Sequence, residues 1–488
     1  MEKQDKKPNI IAIIGAIVLL VLAVVGLSYA FFSAFINGGE TDTSVEGTGA
    51  NLSLVYTDGK SVITSSNIMP GWSATKTFTV TNNGEADTYY KLNISNITNE
   101  FVEGGLTFSI ASADGGTSVA EQAVGTTTRT ISPSITIAEG ATHTYTVTAK
   151  YINLNTDQTP DLGKSFSYTI GIEASQKPTF KDIILANNEV KTPITTPGAA
   201  VSTSSEALLA SAEDDYGTSY YFRGAVTNNY VEFANKCWRI VRIGGDNTVK
   251  LILHNDNISN ASNPCSSANN STTAAFVHYD GNIYKSEFNS NYNDNAYVGF
   301  MYGTPGSTTY EATHANTNKS TILTNLETWY NNNLKTYESV IDNNVFCNDK
   351  SLSSGSGYSA NATDYAARER LYTSKIPSLK CNGELSKITS KIGLITADEL
   401  AFAGYAVRGY ITTSYLKENA TGYSWWSLSP AGFYNKSLSY VFRVRSDNDA
   451  IDICNVDVDS SVRPVISLVS SITISGVSGT SEDPYVVK

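Results

Sequence analysis

The spacing of apolar and polar residues changes twice along the chain and divides it into three parts. From Ile10 to Ile36 there is no charged residue, a run longer than the ~20 apolar residues with which a helix crosses a bilayer. From about Asn51 to Ala174 the period is two. Thr77-Phe78-Thr79-Val80 and Thr144-Tyr145-Thr146-Val147 put apolar groups on one face and hydroxyls on the other, as a half-buried strand requires. From Tyr220 onward, strand-like runs mix with a helical face built from Ile322, Leu323, Leu326, Trp329, Tyr330, Leu334, Tyr337, Val340 and Ile341, spaced mostly by three and four.

Each part predicts a distinct structure. Lys3, Lys6 and Lys7 precede the first run, and Glu40 is the first charge after it. Positive residues stay on the cytoplasmic side, so residues 1–8 are expected inside and 9–36 as a transmembrane anchor, with the C-terminal part extracellular. Ser28-Tyr29-Ala30 also has the small residues of a signal-peptidase site, so a second reading is a secreted chain cut after Ala30. Residues 45–175 read as an all-β sandwich of jelly-roll or immunoglobulin type. Strands are expected at Asn51 to Tyr56, Thr75 to Thr81, Tyr89 to Ile94, Leu106 to Ala111, Thr142 to Tyr151 and Ser165 to Glu173, parted by turn residues such as Asn82-Asn83-Gly84. Residues 176–215 read as a proline-punctuated linker, with a short helix at Phe180 to Ala186 capping the sandwich.

Residues 216–488 read as an α+β domain. Strands are expected at Tyr220 to Val226, Tyr230 to Ile243 and Val249 to Leu253, and a shorter helix at Asp364 to Tyr372. Asn255 to Asn318 is asparagine-rich and weakly patterned, and reads mostly as surface loop. Thr396-Ala397-Asp398-Glu399 is a capping box that opens a short helix.

Two resemblances follow from local motifs. Tyr29-Ala30-Phe31-Phe32, Asn51-Leu52-Ser53-Leu54, Pro70-Gly71 and Phe78-Thr79-Val80-Thr81-Asn82-Asn83-Gly84 occur in the order found in the TasA/camelysin group of secreted Firmicute matrix proteins, and this half resembles that group. The resemblance implies a jelly-roll-like sandwich behind an export segment, and self-association by strand exchange into fibres. Cys237-Trp238-Arg239-Ile240-Val241-Arg242, Ile395-Thr396-Ala397-Asp398-Glu399, Trp425-Trp426-Ser427-Leu428-Ser429-Pro430-Ala431, Ser461-Val462-Arg463-Pro464-Val465-Ile466-Ser467-Leu468 and the Gly479 to Val487 segment look like a family of bacterial extracellular domains of unknown function. That family is similar to the C-type-lectin-like fold of formylglycine-generating enzymes. It implies a small twisted sheet carrying two helices, with the first and last strands brought together.

Composition narrows the function. The formal charge is −12, which argues against nucleic acid or an anionic membrane surface as the main partner and is compatible with neutral sugars, proteins or divalent cations; an extracellular carbohydrate or protein ligand is expected. The four histidines, His143, His254, His278 and His314, are scattered, and no metalloprotease, phosphate-loop or nucleophile-elbow motif occurs. The fold resemblance points to an oxidase with paired cysteines, yet Cys454 is the only cysteine near the terminal strands. A non-catalytic adhesion or recognition protein is therefore expected ahead of a matrix component, and an oxidase last. Trp425, Trp426, Tyr434, Arg443 and Arg445 are the candidate ligand-binding residues, with one of the adjacent tryptophans expected in the core and the other outside. Cys347 and Cys381 are a candidate disulfide closing a loop of about 35 residues, against two free thiols. Cys237 has Cys265 or Cys454 as possible partners. Asp447, Asp449, Asp452, Asp457 and Asp459 carry the oxygen chemistry of a calcium loop, but turn and surface roles fit them better. No cofactor is expected.

Overall fold

The computed structural model describes residues 33–34, 44–46, 53–58, 68–84, 86–175, 178–409, 413–434, 437–472, 474–475 and 478–487. The chain is predominantly β and divides into two compact units between Lys177 and Pro178. The expected anchor lies outside the described residues except for Ser33–Ala34. That pair is strand, antiparallel to Ile172 and Glu173, where a helix reaching Ile36 is expected. Among the described residues no helix is long and apolar enough to cross a membrane.

The N-terminal unit is built from β1 (Ser33–Ala34), β2 (Ser44–Glu46), β3 (Ser53–Asp58), β4 (Trp72–Asn82), β5 (Thr88–Asn99), β6 (Leu106–Ser112), β7 (Val119–Ala123), β8 (Arg129–Ile137), β9 (Thr142–Tyr151) and β10 (Phe166–Ser175). They form two sheets, ordered β1-β10-β5-β8 and β2-β3-β4-β9-β6-β7. The period-two pattern places Tyr90, Leu92, Ile94, Ile170 and Ile172 of one sheet, and Phe78, Val80, Tyr145 and Val147 of the other, in one core. Each such side chain contributes about 1.5–3 kcal/mol by leaving water. The two sheets form a β-sandwich whose core includes a polar knot. Tyr90 Oη lies 2.7 Å from His143 Nδ1 and 2.5 Å from Tyr145 Oη, and burial, with the Tyr145 hydroxyl and the Asp114 charge adding to it, raises the Tyr90 phenol far above its usual range. β8 is missing from the sequence expectation because its run Arg-Thr-Ile-Ser-Pro-Ser-Ile-Thr-Ile contains a proline. Its register with β5 is irregular between the Tyr90–Ile135 and Leu92–Ser132 pairs, the kind of local break where a strand accepts proline.

The C-terminal unit begins inside the expected linker. The helix Phe180–Asn187 has a capping box on Thr179 and Asp182. Its Phe180 and Ile184 are buried in the C-terminal core, where a cap on the sandwich is expected. Then come β11 (Ala207–Asp214), β12 (Gly217–Gly224), β13 (Tyr230–Phe233), β14 (Lys236–Ile243) and β15 (Val249–Asn255). The single strand expected from Tyr230 to Ile243 is a hairpin instead. Ala234 and Asn235 both have positive φ, 53° and 56°, as a two-residue turn of matching twist demands. β13 also pairs in parallel with the strand Tyr485–Val487, Val231 opposite Tyr485, so early and late strands of the unit share one sheet.

A second sheet centres on Trp425–Tyr434 and Leu438–Val444. The helix Thr321–Asn333, N-capped by Ser320, buries Ile322, Leu323, Leu326, Trp329 and Tyr330, and the capping-box helix spans Ala397–Phe402. The helix expected over Asp364 to Tyr372 is a short strand, Thr363–Tyr365, followed by helical turns over Ala366–Arg368 and Glu369–Ser374. The segment from Asn255 to Asn318 is irregular in backbone but not superficial. Ala275, Phe276, Val277, Phe288, Val298 and Phe300 are core residues.

Candidate functional site

Of the residues expected to bind ligand, the two tryptophans lie in the interior, while Tyr434, Arg443 and Arg445 are partly exposed. Trp425 and Trp426 are both fully buried. Their strand is covered on both faces along nearly its whole length, so alternation does not bring either ring out. Trp426 Nε1 donates to the Ser286 carbonyl at 2.7 Å, and the Arg463 guanidinium lies 5.1 Å from the Trp425 ring centre. Tyr434 Oη bonds Asp364 at 2.5 Å. Arg443 donates to Ser460 Oγ at 3.2 Å, and Arg445 is engaged by Asp447 and Asp452. These side chains pack and brace the sheet.

The cysteine and histidine chemistry is also structural. Cys237 is bonded to Cys265 and Cys347 to Cys381. Cys454 is a buried free thiol whose pKa is raised, chiefly by burial. His314 is buried beside Lys350 and Tyr365, and burial together with the Lys350 charge pushes its pKa down to about 3. His254 is held neutral by burial and by Arg239 and Arg463. Asp447, Asp449 and Asp452 pair with Arg445 or Lys417. Among the described residues no group of three or more His, Cys, Asp or Glu side chains is arranged to hold a metal ion.

The site with binding character lies where the sequence shows only an asparagine-rich loop. A cleft of about 600 Å³ opens between the end of β15, the loop that follows it and Tyr423. Its size falls in the range of sites that hold one small ligand. Its wall is made of amides and hydroxyls, including Asn257, Asn269, Ser271, Thr273 and Asn282. Three of the loop's turns are made by residues of positive φ, Asn257, Asn260 and Asp280, types that tolerate the left-handed region.

The wall is rigid because its amides are used internally. Asn255 Nδ2 donates to the carbonyls of Pro264 and Asn269, both at 3.0 Å. Asn257 Nδ2 donates to the Asn235 and Ala261 carbonyls at 2.9 and 3.0 Å. The Cys237–Cys265 bridge ties this loop to β14 across 28 residues, worth about 3–4 kcal/mol as loop-closure entropy. On the floor, Asp256 accepts from Lys236 Nζ at 2.7 Å and from the His278 backbone N–H at 2.9 Å. The His278 side chain is only 6% exposed, and its Nδ1 has no hydrogen-bond partner among the described residues. At the rim the Lys285 ammonium stands 5.3 Å from the Tyr423 ring centre. The cleft therefore combines amide and hydroxyl groups with one aromatic ring, with the Asp256 carboxylate on its floor, 3.8 Å from the buried His278 Nδ1, and the Lys285 ammonium at its rim.

The single sequence signal for this site is the density of Asn, Ser and Thr between Asn255 and Asn282. No protein-family model matches the chain, and no curated protein is significantly similar to it.

Proposed function

We propose that the protein is a non-catalytic recognition protein of the bacterial cell surface, and that its C-terminal unit binds extracellular carbohydrate in the cleft beside Tyr423. The observation that carries this reading is the cleft wall. Sugars present closely spaced hydroxyls that both donate and accept, with apolar C–H faces between them. A rigid set of amides and hydroxyls around one aromatic ring matches both features, and its rigidity limits the ordering cost of binding. The uncharged Ile10 to Ile36 run supports export, and two disulfides suit an oxidising compartment. The pairing of β13 with Tyr485–Val487 fits the lectin-like fold that the sequence motifs resemble, and we place the C-terminal unit in that class. The two-sheet N-terminal unit fits the jelly-roll class in the same way.

An oligosaccharide array probed with the exported protein tests this directly. Binding is expected, and Tyr423→Ala is expected to weaken it about tenfold, the equivalent of ~1.4 kcal/mol. An array on which the protein binds no sugar would sink the reading.

A further inference from the structure

The cleft has a neighbour. A second concavity, of about 640 Å³, lies on the other side of the segment from Asn269 to Thr273. Asn269, Ser271 and Thr273 line the first concavity, while Asn270, Ser271 and Thr272 line the second. One stretch of chain is thus the common wall, and the exposed Ser271 faces both sides. The wall is pinned along its length. Asn255 Nδ2 donates to the Asn269 carbonyl at 3.0 Å, Asn419 Nδ2 to Asn270 Oδ1 at 2.8 Å, and the Thr421 N–H to the Thr272 carbonyl at 2.9 Å.

The second concavity shares hydroxyl chemistry with the first. Thr227, Thr272 and Thr421 line it, over a base that includes the buried Val226 and Tyr415. Glu418 adds a carboxylate that is fixed and still accessible. It accepts from Arg239 Nη1 at 2.7 Å and from Tyr230 Oη at 2.8 Å, yet its side chain remains 45% exposed. Each concavity alone is of a size for one small ligand. Two of them, both bearing hydroxyl groups and parted by a single pinned stretch of backbone, suit a ligand that repeats.

Building on the carbohydrate reading, we infer that the two concavities are successive subsites for one linear, polyhydroxylated chain, an oligosaccharide that crosses the wall at Ser271. Occupying the second subsite is then an intramolecular step for a ligand already held in the first. Linked occupancy of this kind raises affinity by ~10²–10⁴-fold without new contact types. The ligand is therefore a polymer, and its isolated repeat unit binds weakly.

The test is a length series. Matched monomers, dimers, tetramers and hexamers of the sugars that score on the array are titrated against the exported protein by calorimetry. Affinity is expected to rise at least ~100-fold between the shortest and longest members. Thr227→Trp places a bulky ring in the second concavity, at an exposed residue that does not line the first. It is expected to return the hexamer to the affinity of the dimer while leaving the dimer unchanged. Equal affinity at every length, or a Thr227→Trp protein that still gains with length, overturns the shared groove and leaves the single-cleft reading standing. Absence of binding at any length removes both.

Discussion

The two units solve the problem of an interior in different ways. The sandwich buries apolar faces that alternate cleanly in sequence, and its interior polarity is confined to small knots such as Tyr90–His143–Tyr145. The C-terminal unit buries charge. Arg223 and Glu206 are both fully inaccessible and paired at 2.6 Å, and Arg223 also donates to the Ala401 and Phe402 carbonyls. Glu399 takes Lys250 at 2.6 Å and Arg242 at 2.9 Å. Burial alone raises the Glu399 pKa, but these cations outweigh it and hold the group down at about 2. Arg370 joins Asp349 to Asp398. An irregular fold leaves backbone carbonyls unpaired by sheet or helix, and long cationic side chains satisfy them while joining distant segments. Such pairs add little net stability over a packed apolar core, yet breaking one is costly.

The sharpest way to break the comparison is Arg223→Ala. It removes the cationic partner of the buried Glu206 and leaves that carboxylate only the Thr195 N–H, so the C-terminal unit is expected to lose about 3–5 kcal/mol. The sandwich transition should be unmoved in the same calorimetric scan. A shift of both transitions would show that the units do not unfold independently.

Acid gives a smaller effect in the same direction. His314 stays neutral when folded, but the unfolded chain takes up a proton below about pH 6.5. Stability from this group is therefore complete above that value and declines as the pH falls towards the folded value of about 3. At pH 5 the decline is roughly 2 kcal/mol, to be read from urea midpoints of the C-terminal unit at pH 7 and pH 5. His254 shifts the same way and steepens the slope.

The smallest effect sharpens the sandwich side. Tyr90→Phe removes the hydroxyl shared by His143 and Tyr145 and is expected to cost the sandwich about 1–2 kcal/mol, leaving the C-terminal midpoint unchanged.

The same contrast explains what the sequence reveals. Thr142 to Tyr151 alternates and is the strand Thr142–Tyr151 to the residue. Local chemistry suffices there, as it does for the capping box at Thr396. Trp425 and Trp426 defeat the alternation argument because a strand covered on both faces has no outside. Phe276 and Phe288 sit in a stretch without periodicity, yet both are buried, since an irregular backbone brings side chains inward at no fixed spacing. The cleft is least legible of all. It depends on where Asn255, Asn269 and Tyr423 meet, and Tyr423 is more than 150 residues beyond the other two in the sequence.

The clasp between the start and the finish of the C-terminal unit has a consequence for synthesis. Phe180 packs edge-on against Tyr485 with ring centres 5.3 Å apart, and Asn187 Nδ2 donates to Tyr485 Oη at 3.1 Å. β13 waits for the same late strand. A ribosome adds about 5–20 residues each second, so Tyr485 appears roughly 15–60 s after the last strand of the sandwich. Throughout that interval the sandwich has every strand it needs, while the following unit lacks its closing piece and stays open. The cleft beside Tyr423 therefore takes its final shape only once the end of the chain has been made.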